Sequence, residues 1–177
     1  TMLRFNASKP GYVELDVAPS VLPFAETFYL HLEAATPPGM VFVPAGRSSY
    51  MGETQDLPAF WIQRNEVTNQ QYYAFVEAAG YERPEFWNHR AEADGRVLQW
   101  DEMMSRLVDS TGLPGPSTWS MGVYPEGEAN HPVEGVSWFE AEAYAQYAGL
   151  ELASVFHWWR AAGFGGPQQI NFSDIVK

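Results

Sequence analysis

No cysteine occurs in the 177 residues, so this chain can form neither a thiolate nucleophile, nor a thiolate metal site, nor a disulfide. What remains for chemistry is oxygen and imidazole. Gly135-Val136-Ser137-Trp138-Phe139 nearly matches the strained turn that exposes a nucleophilic serine, with His131 and His157 as available bases. Phe139 stands where that turn needs its second glycine, and Ser137 sits where a helix start favours a capping hydroxyl, the commoner reason for serine there. No catalytic residue is therefore assigned. The four histidines, His31, His89, His131 and His157, fall at no metal-ligand spacing and read as surface or hydrogen-bonded core residues. Glu126, Glu128 and Glu134 around His131-Pro132 have the oxygen chemistry for a hard cation such as calcium. They lack the spacing of a dedicated calcium loop, so the stretch reads as solvated and no metal or cofactor is expected.

Aromatic residues make the other chemical signal. Trp87, His89, Trp100, Trp119 and Tyr124 gather among Gly and Pro within residues 81–134, too long a stretch for a plain connection. These five are the candidate ligand-binding residues; the plainer alternative is that they pack the loop onto its neighbouring helices. Trp138, Tyr144, Trp158 and Trp159 lie on or near helical stripes and read as core instead.

The elements that must position these residues follow from composition and pattern. A content of 46% hydrophobic and 18% charged residues describes a packed protein, long enough for one main domain plus an extension. The net charge of −12 repels phosphate backbones and anionic membranes, which argues against nucleic acid as a partner and against membrane contact by this segment. The same charge favours a neutral or cationic partner for the loop aromatics, such as a peptide or a glycan. The apolar run 21–35 is broken by Pro23, Glu26, His31 and Glu33, so it is neither a membrane span nor a signal core. Thr1-Met2 reads as a cloning remnant, which leaves room for a native targeting segment upstream.

Alternation around Leu3-Arg4-Phe5, residues 12–17 and residues 26–32 predicts three short strands, a β-rich extension over residues 1–36. Thr36-Pro37-Pro38-Gly39 is a stiff joint, after which the main domain, 37–177, begins. Residues 40–46 and 60–63 read as strands around a polar turn. Thr68 and Gln71 have capping-box spacing for a helix carrying Tyr72, Phe75, Val76 and Ala79 and ending at Gly80. Ser137 and Glu140 repeat the pattern for a helix carrying Trp138, Ala141, Tyr144, Ala145 and Ala148, stopped by Gly149. A third helix starts near Ser154 and runs to Gly163, and a further one is expected over 100–108.

The order of motifs adds a family resemblance. Pro38-Gly39-Met40-Val41-Phe42-Val43-Pro44-Ala45-Gly46, then Trp61-Ile62-Gln63-Arg64-Asn65-Glu66-Val67-Thr68-Asn69, then His131-Pro132-Val133-Glu134-Gly135-Val136-Ser137-Trp138 resemble successive elements of the formylglycine-generating enzyme (sulfatase-modifying factor) domain. The resemblance implies an α+β, elaborated C-type-lectin-like fold. Ser110-Thr111-Gly112-Leu113-Pro114-Gly115-Pro116 is similar to a subset of these domains in the sensor parts of bacterial membrane serine/threonine kinases, which implies an extracytoplasmic position.

The family's catalytic members oxidise a substrate cysteine with copper-bound thiolates, which this chain lacks. It ends before the region where the family carries those cysteines and most of its calcium ligands, so the domain is read as truncated. The expected function is therefore a non-catalytic binding or sensor domain; the alternative is the front part of an enzyme whose catalytic half lies elsewhere. A truncated domain is also expected to self-associate or to recruit a complementing chain.

Overall fold

The computed structural model describes residues 5–17 and 30–162, which divide into two compact units. The first takes in the described residues up to Asn65 together with those from Ala153 onward; the second is Glu66–Leu152. Helices and small two-stranded antiparallel sheets occur in both, giving a mixed α+β protein.

In the first unit β1 (Phe5–Ala7) pairs with β2 (Leu15–Val17), and Tyr12 bridges to Leu32. The third strand expected over 26–32 and most of Leu3-Arg4-Phe5 lie outside the described residues, apart from that bridge and β1 itself. The two strand-like runs are observed: β3 (Met40–Val43) pairs with β6 (Phe60–Gln63), Met40 opposite Gln63 and Val43 opposite Phe60. The segment between them is more than a polar turn. It forms a hairpin of β4 (Gly46–Tyr50) and β5 (Glu53–Leu57), closed by Met51 and Gly52 at φ 48° and 87°. Positive φ at both central residues is the turn whose twist matches the strands; Met in the first position hides the signal that Asn would give.

Helix α4 (Val155–Ala161) begins where expected, with the Ser154 hydroxyl accepting the His157 N–H. It belongs to the same unit as β4 and is tied to it. Ser48 Oγ donates to the Phe156 carbonyl at 2.9 Å, and the rings of Tyr50 and Trp159 meet edge to face at 5.1 Å. The Arg160 guanidinium donates to the carbonyls of Pro44 and Ala45, 3.2 and 3.3 Å away. It lies over Gly46, where a Cβ would come within 2.6 Å of it.

The second unit is built on α1 (Asn69–Glu77) and α3 (Trp138–Tyr147). Both capping boxes are present: the Thr68 and Ser137 hydroxyls accept the N–H groups of Gln71 and Glu140, whose side chains accept the cap N–H groups in return. Helix α3 ends as its glycine requires. Gly149, at φ 68°, donates to Gln146 while Leu150 donates to Ala145, so two terminal carbonyls are satisfied.

Helix α1 ends differently. The left-handed residue is Ala79, at φ 57°, and Gly80 instead opens a short 3₁₀ turn, Gly80–Glu82. Glycine is needed there because the Phe75 ring fills the side-chain position: a Cβ on Gly80 would lie 2.1 Å from it. On α3 the buried residues are Glu140, Glu142, Ala143, Tyr144 and Ala145, so Tyr144 and Ala145 of the expected stripe are inside, whereas Trp138 is 53% exposed and Ala148 is exposed. The stripe fails at its two ends, and Glu140 joins the buried face because a buried partner, described below, draws it inward.

Helix α2 (Trp100–Met104) is shorter than the expected 100–108. Val108 leaves the helical path to bridge Pro114, next to a turn organised by Asp109. Ahead of it β7 (Glu92–Ala93) and β8 (Arg96–Val97) form a minimal hairpin over Asp94-Gly95, both at positive φ. Tyr72, Phe75, Tyr81, Trp87, Trp119 and Tyr144 make the aromatic core of this unit. No helix among the described residues is long and apolar enough to cross a membrane.

Candidate functional site

The first turn of a helix has N–H groups with no partner inside the helix. In α1 the loop supplies them: Asn69 donates to the His131 carbonyl and Gln70 to the Ala129 carbonyl, both at 2.9 Å, while the capping box takes Thr68 and Gln71. The long stretch 81–134 thus returns to the helix start and is held there. Asn69, itself buried, extends the join: its Nδ2 donates to the Glu128 carbonyl at 2.9 Å, and its Oδ1 accepts the Trp119 indole N–H at 3.0 Å.

Asp109 fixes the middle of the loop. Its buried carboxylate accepts the backbone N–H groups of Thr111, Leu113 and Gly122 and the Thr111 hydroxyl, all between 2.7 and 3.0 Å. Burial alone would raise its pKa, but these donors outweigh it and bring the value down to about 2. Asp109-Ser110-Thr111-Gly112 has the composition of a side-chain-organised turn, a signal present in the sequence.

A second buried polar group links the helices. Tyr81 Oη donates to Glu140 Oε1 at 2.6 Å, and Tyr81 and Tyr72 share a 3.1 Å hydrogen bond. Burial first, then the Glu140 charge at Tyr72 and both Tyr72 and Glu140 at Tyr81, pushes the two phenols far above their ordinary range, so they remain protonated donors.

The five loop residues singled out by sequence fall into two places. Trp119 is fully buried, in edge contact with Tyr72 at 6.0 Å and with Tyr124 at 5.5 Å. Beside this pair lies a cleft of about 260 Å³ with Asn69, Thr118, Trp119, Glu128, His131 and Glu134 around it. Trp87, His89 and Trp100 line another cleft, of about 310 Å³, over Leu98 and Met103. Trp87 is buried and donates its indole N–H to the Gly80 carbonyl at 2.9 Å, so it offers carbon surface to the cleft; Trp100 meets it edge to face at 6.1 Å.

Two basic side chains, one an imidazole and one a guanidinium, mark the rim of the Trp87–Trp100 cleft. His89 Nε2 lies 3.0 Å from the carboxylate of Glu142, a nearly buried residue on α3, and its ring meets Trp138 at 5.0 Å. Arg90, also on the rim, is exposed and has no ion pair or hydrogen bond among the described residues.

Neither cleft gathers hydrolytic machinery. The Ser137 hydroxyl is occupied as the α3 cap, and His157 Nδ1 shares a 2.7 Å hydrogen bond with Ser154. Among the described residues no three His, Asp or Glu side chains converge as a metal-ligand set.

The family model for the sulfatase-modifying factor enzyme 1-like domain matches residues 28–174. Hercynine oxygenase of Mycolicibacterium smegmatis is 28% identical over 171 residues, 93% of this chain and 35% of that protein. Formylglycine-generating enzyme of Thermomonospora curvata is 34% identical over 161 residues, 76% of this chain and 51% of the enzyme. Serine/threonine-protein kinase Pkn1 of Chlamydia trachomatis is 29% identical over 136 residues, 71% of this chain and 19% of the kinase. The chain thus spans from about a fifth to about half of these relatives' lengths. With the motifs in order and most of its length matched, the chain belongs to the sulfatase-modifying factor (formylglycine-generating enzyme) family.

Proposed function

We propose that this chain is a non-catalytic binding domain on the family's C-type-lectin-like scaffold, serving as the extracytoplasmic sensor of a bacterial serine/threonine kinase. The cleft between Trp87 and Trp100 carries the reading. It combines the buried carbon of Trp87, Leu98 and Met103 with a more polar exposed lining, and its rim offers the Arg90 guanidinium and the His89 imidazole without a nucleophile, a composition suited to holding a ligand rather than transforming it. Similarity to the chlamydial kinases supports the signalling context, and the cysteine-free sequence supports a role without thiol chemistry.

The full-length gene product tests this reading. It should autophosphorylate, and Trp100→Ala should change the rate while leaving the thermal transition of the domain within a few degrees. A full-length product without kinase activity overturns the proposal.

A second reading makes this chain the front part of an enzyme of the family, with the catalytic half encoded further on. Its support is the 93% of the chain matched in hercynine oxygenase. Oxygen consumption by the full-length product, given hercynine or a cysteine-containing sulfatase peptide, would select it.

A further inference from the structure

The rim and walls of the Trp87–Trp100 cleft differ in a way that defines a ligand. Trp87, Leu98 and Met103 are buried, and Trp100 is half-buried beside them. These residues leave a small carbon surface within a lining that is otherwise polar, so a group that fits here carries both an apolar and a polar part. The volume of about 310 Å³ is at the lower end for small-molecule sites, the size of one large side chain or a small organic acid.

The two basic side chains at the rim are not equivalent. His89 faces Glu142, whose carboxylate compensates any imidazolium charge. Arg90 has no such partner among the described residues, in a chain of net charge −12 where acids are plentiful. A free guanidinium is a planar fork that takes a carboxylate through two parallel hydrogen bonds. One uncompensated cation matches one negative charge, so a monoanion is preferred over a phosphate dianion, whose second charge would meet the acidic surface.

We propose that this cleft binds an apolar carboxylate, with its aromatic or branched aliphatic side chain against Trp100 and Leu98 and its carboxylate on Arg90. The inference rests on reading this cleft as a binding site and adds the ligand class. Two sources supply that chemistry: a free organic or amino acid, and the C-terminal residue of a peptide. In both, apolar burial gives affinity while the Arg90 fork selects the acid over its amide.

Calorimetric titration of the full 177-residue chain decides it. The probes are N-acetyl-phenylalanine, its C-terminal amide, phenyl phosphate, and a tripeptide ending in phenylalanine with a free or amidated C-terminus. The acids should bind at least about tenfold more tightly than the amides and the phosphate, and Arg90→Gln should remove that preference. Arg90→Lys should restore part of it. The exposed, unpaired position of Arg90 makes these variants neutral for folding, which thermal unfolding checks; should either fail to fold, the acid-to-amide ratio on the unmodified chain still decides. Tighter binding of N-acetyl-phenylalanine points to a free acid, and tighter binding of the tripeptide to a peptide terminus. No acid binding at millimolar concentration, equal binding of acid and amide, or a preference that survives Arg90→Gln overturns the inference. Acid binding in a full-length product whose autophosphorylation ignores it would overturn the sensor reading while leaving this one standing.

Discussion

The hydroxyl of Tyr81 donates a 2.6 Å hydrogen bond to the carboxylate of Glu140, and the other oxygen of that carboxylate accepts the N–H of Ser137 at 2.7 Å. One acidic side chain thus closes the cap of α3 and anchors the turn that follows α1. Tyr81→Phe leaves a buried carboxylate oxygen short of its donor and should destabilise the fold by about 1–3 kcal/mol. Combined with Glu140→Gln, the loss should be smaller than the sum of the single losses, since the two share one bond. Urea titration of the four proteins gives the coupling; strict additivity would dissolve the link between the helices.

Asp109 should make stability depend on acidity. Its folded pKa of about 2 lies below its unfolded value, so the unfolded chain takes up the proton first. The contribution is complete above about pH 4 and is lost as the pH falls toward about 2. Asp109→Asn should cost about 1–3 kcal/mol at pH 7, and the gap to the unmodified chain should narrow in urea titrations below pH 3. A gap independent of pH would remove the loop carboxylate as its source.

The Phe75 ring over Gly80 predicts a strict size limit. Gly80→Ala should destabilise by about 1–3 kcal/mol through overpacking, and Phe75→Leu in the same chain should recover part of that loss. If denaturant midpoints show Gly80→Ala to be neutral, the close approach is not maintained in solution.

At the β4–β5 turn the change should run the other way. Met51 occupies a left-handed position, so Met51→Asn should raise stability by about 0.5–1 kcal/mol, read as a higher thermal midpoint. A lowered midpoint would argue against this turn type.

Much of the frame was legible because its signals are local. Thr68, Gln71, Ser137, Glu140 and Gly149 act within one turn of their own helix, and each stands where its spacing indicates. The β4–β5 hairpin was not, because Met51 lacks the residue preference that announces its turn. Nor was the burial of Glu140: its spacing announces only the cap, and Tyr81, distant in sequence, holds it inside.

The aromatic residues singled out by sequence all lie at or beside the two clefts, but which of them face open space was set by long-range partners. Trp119 is fixed in the core by Asn69, and Trp87 by the Gly80 carbonyl. The net charge of −12 is a whole-chain quantity and does not describe a cleft rim carrying His89 and Arg90.

The start of α1 borrows acceptors from His131 and Ala129, which are synthesised long after it. A chain emerging from the ribosome therefore has Asn69 and Gln70 before it has anything to satisfy them, and this helix can be finished only once the loop downstream has been made. Unit 2 has to assemble as a whole rather than grow from its first element, so a translation pause within residues 81–128 would leave the helix start unsatisfied and the aromatic core uncovered.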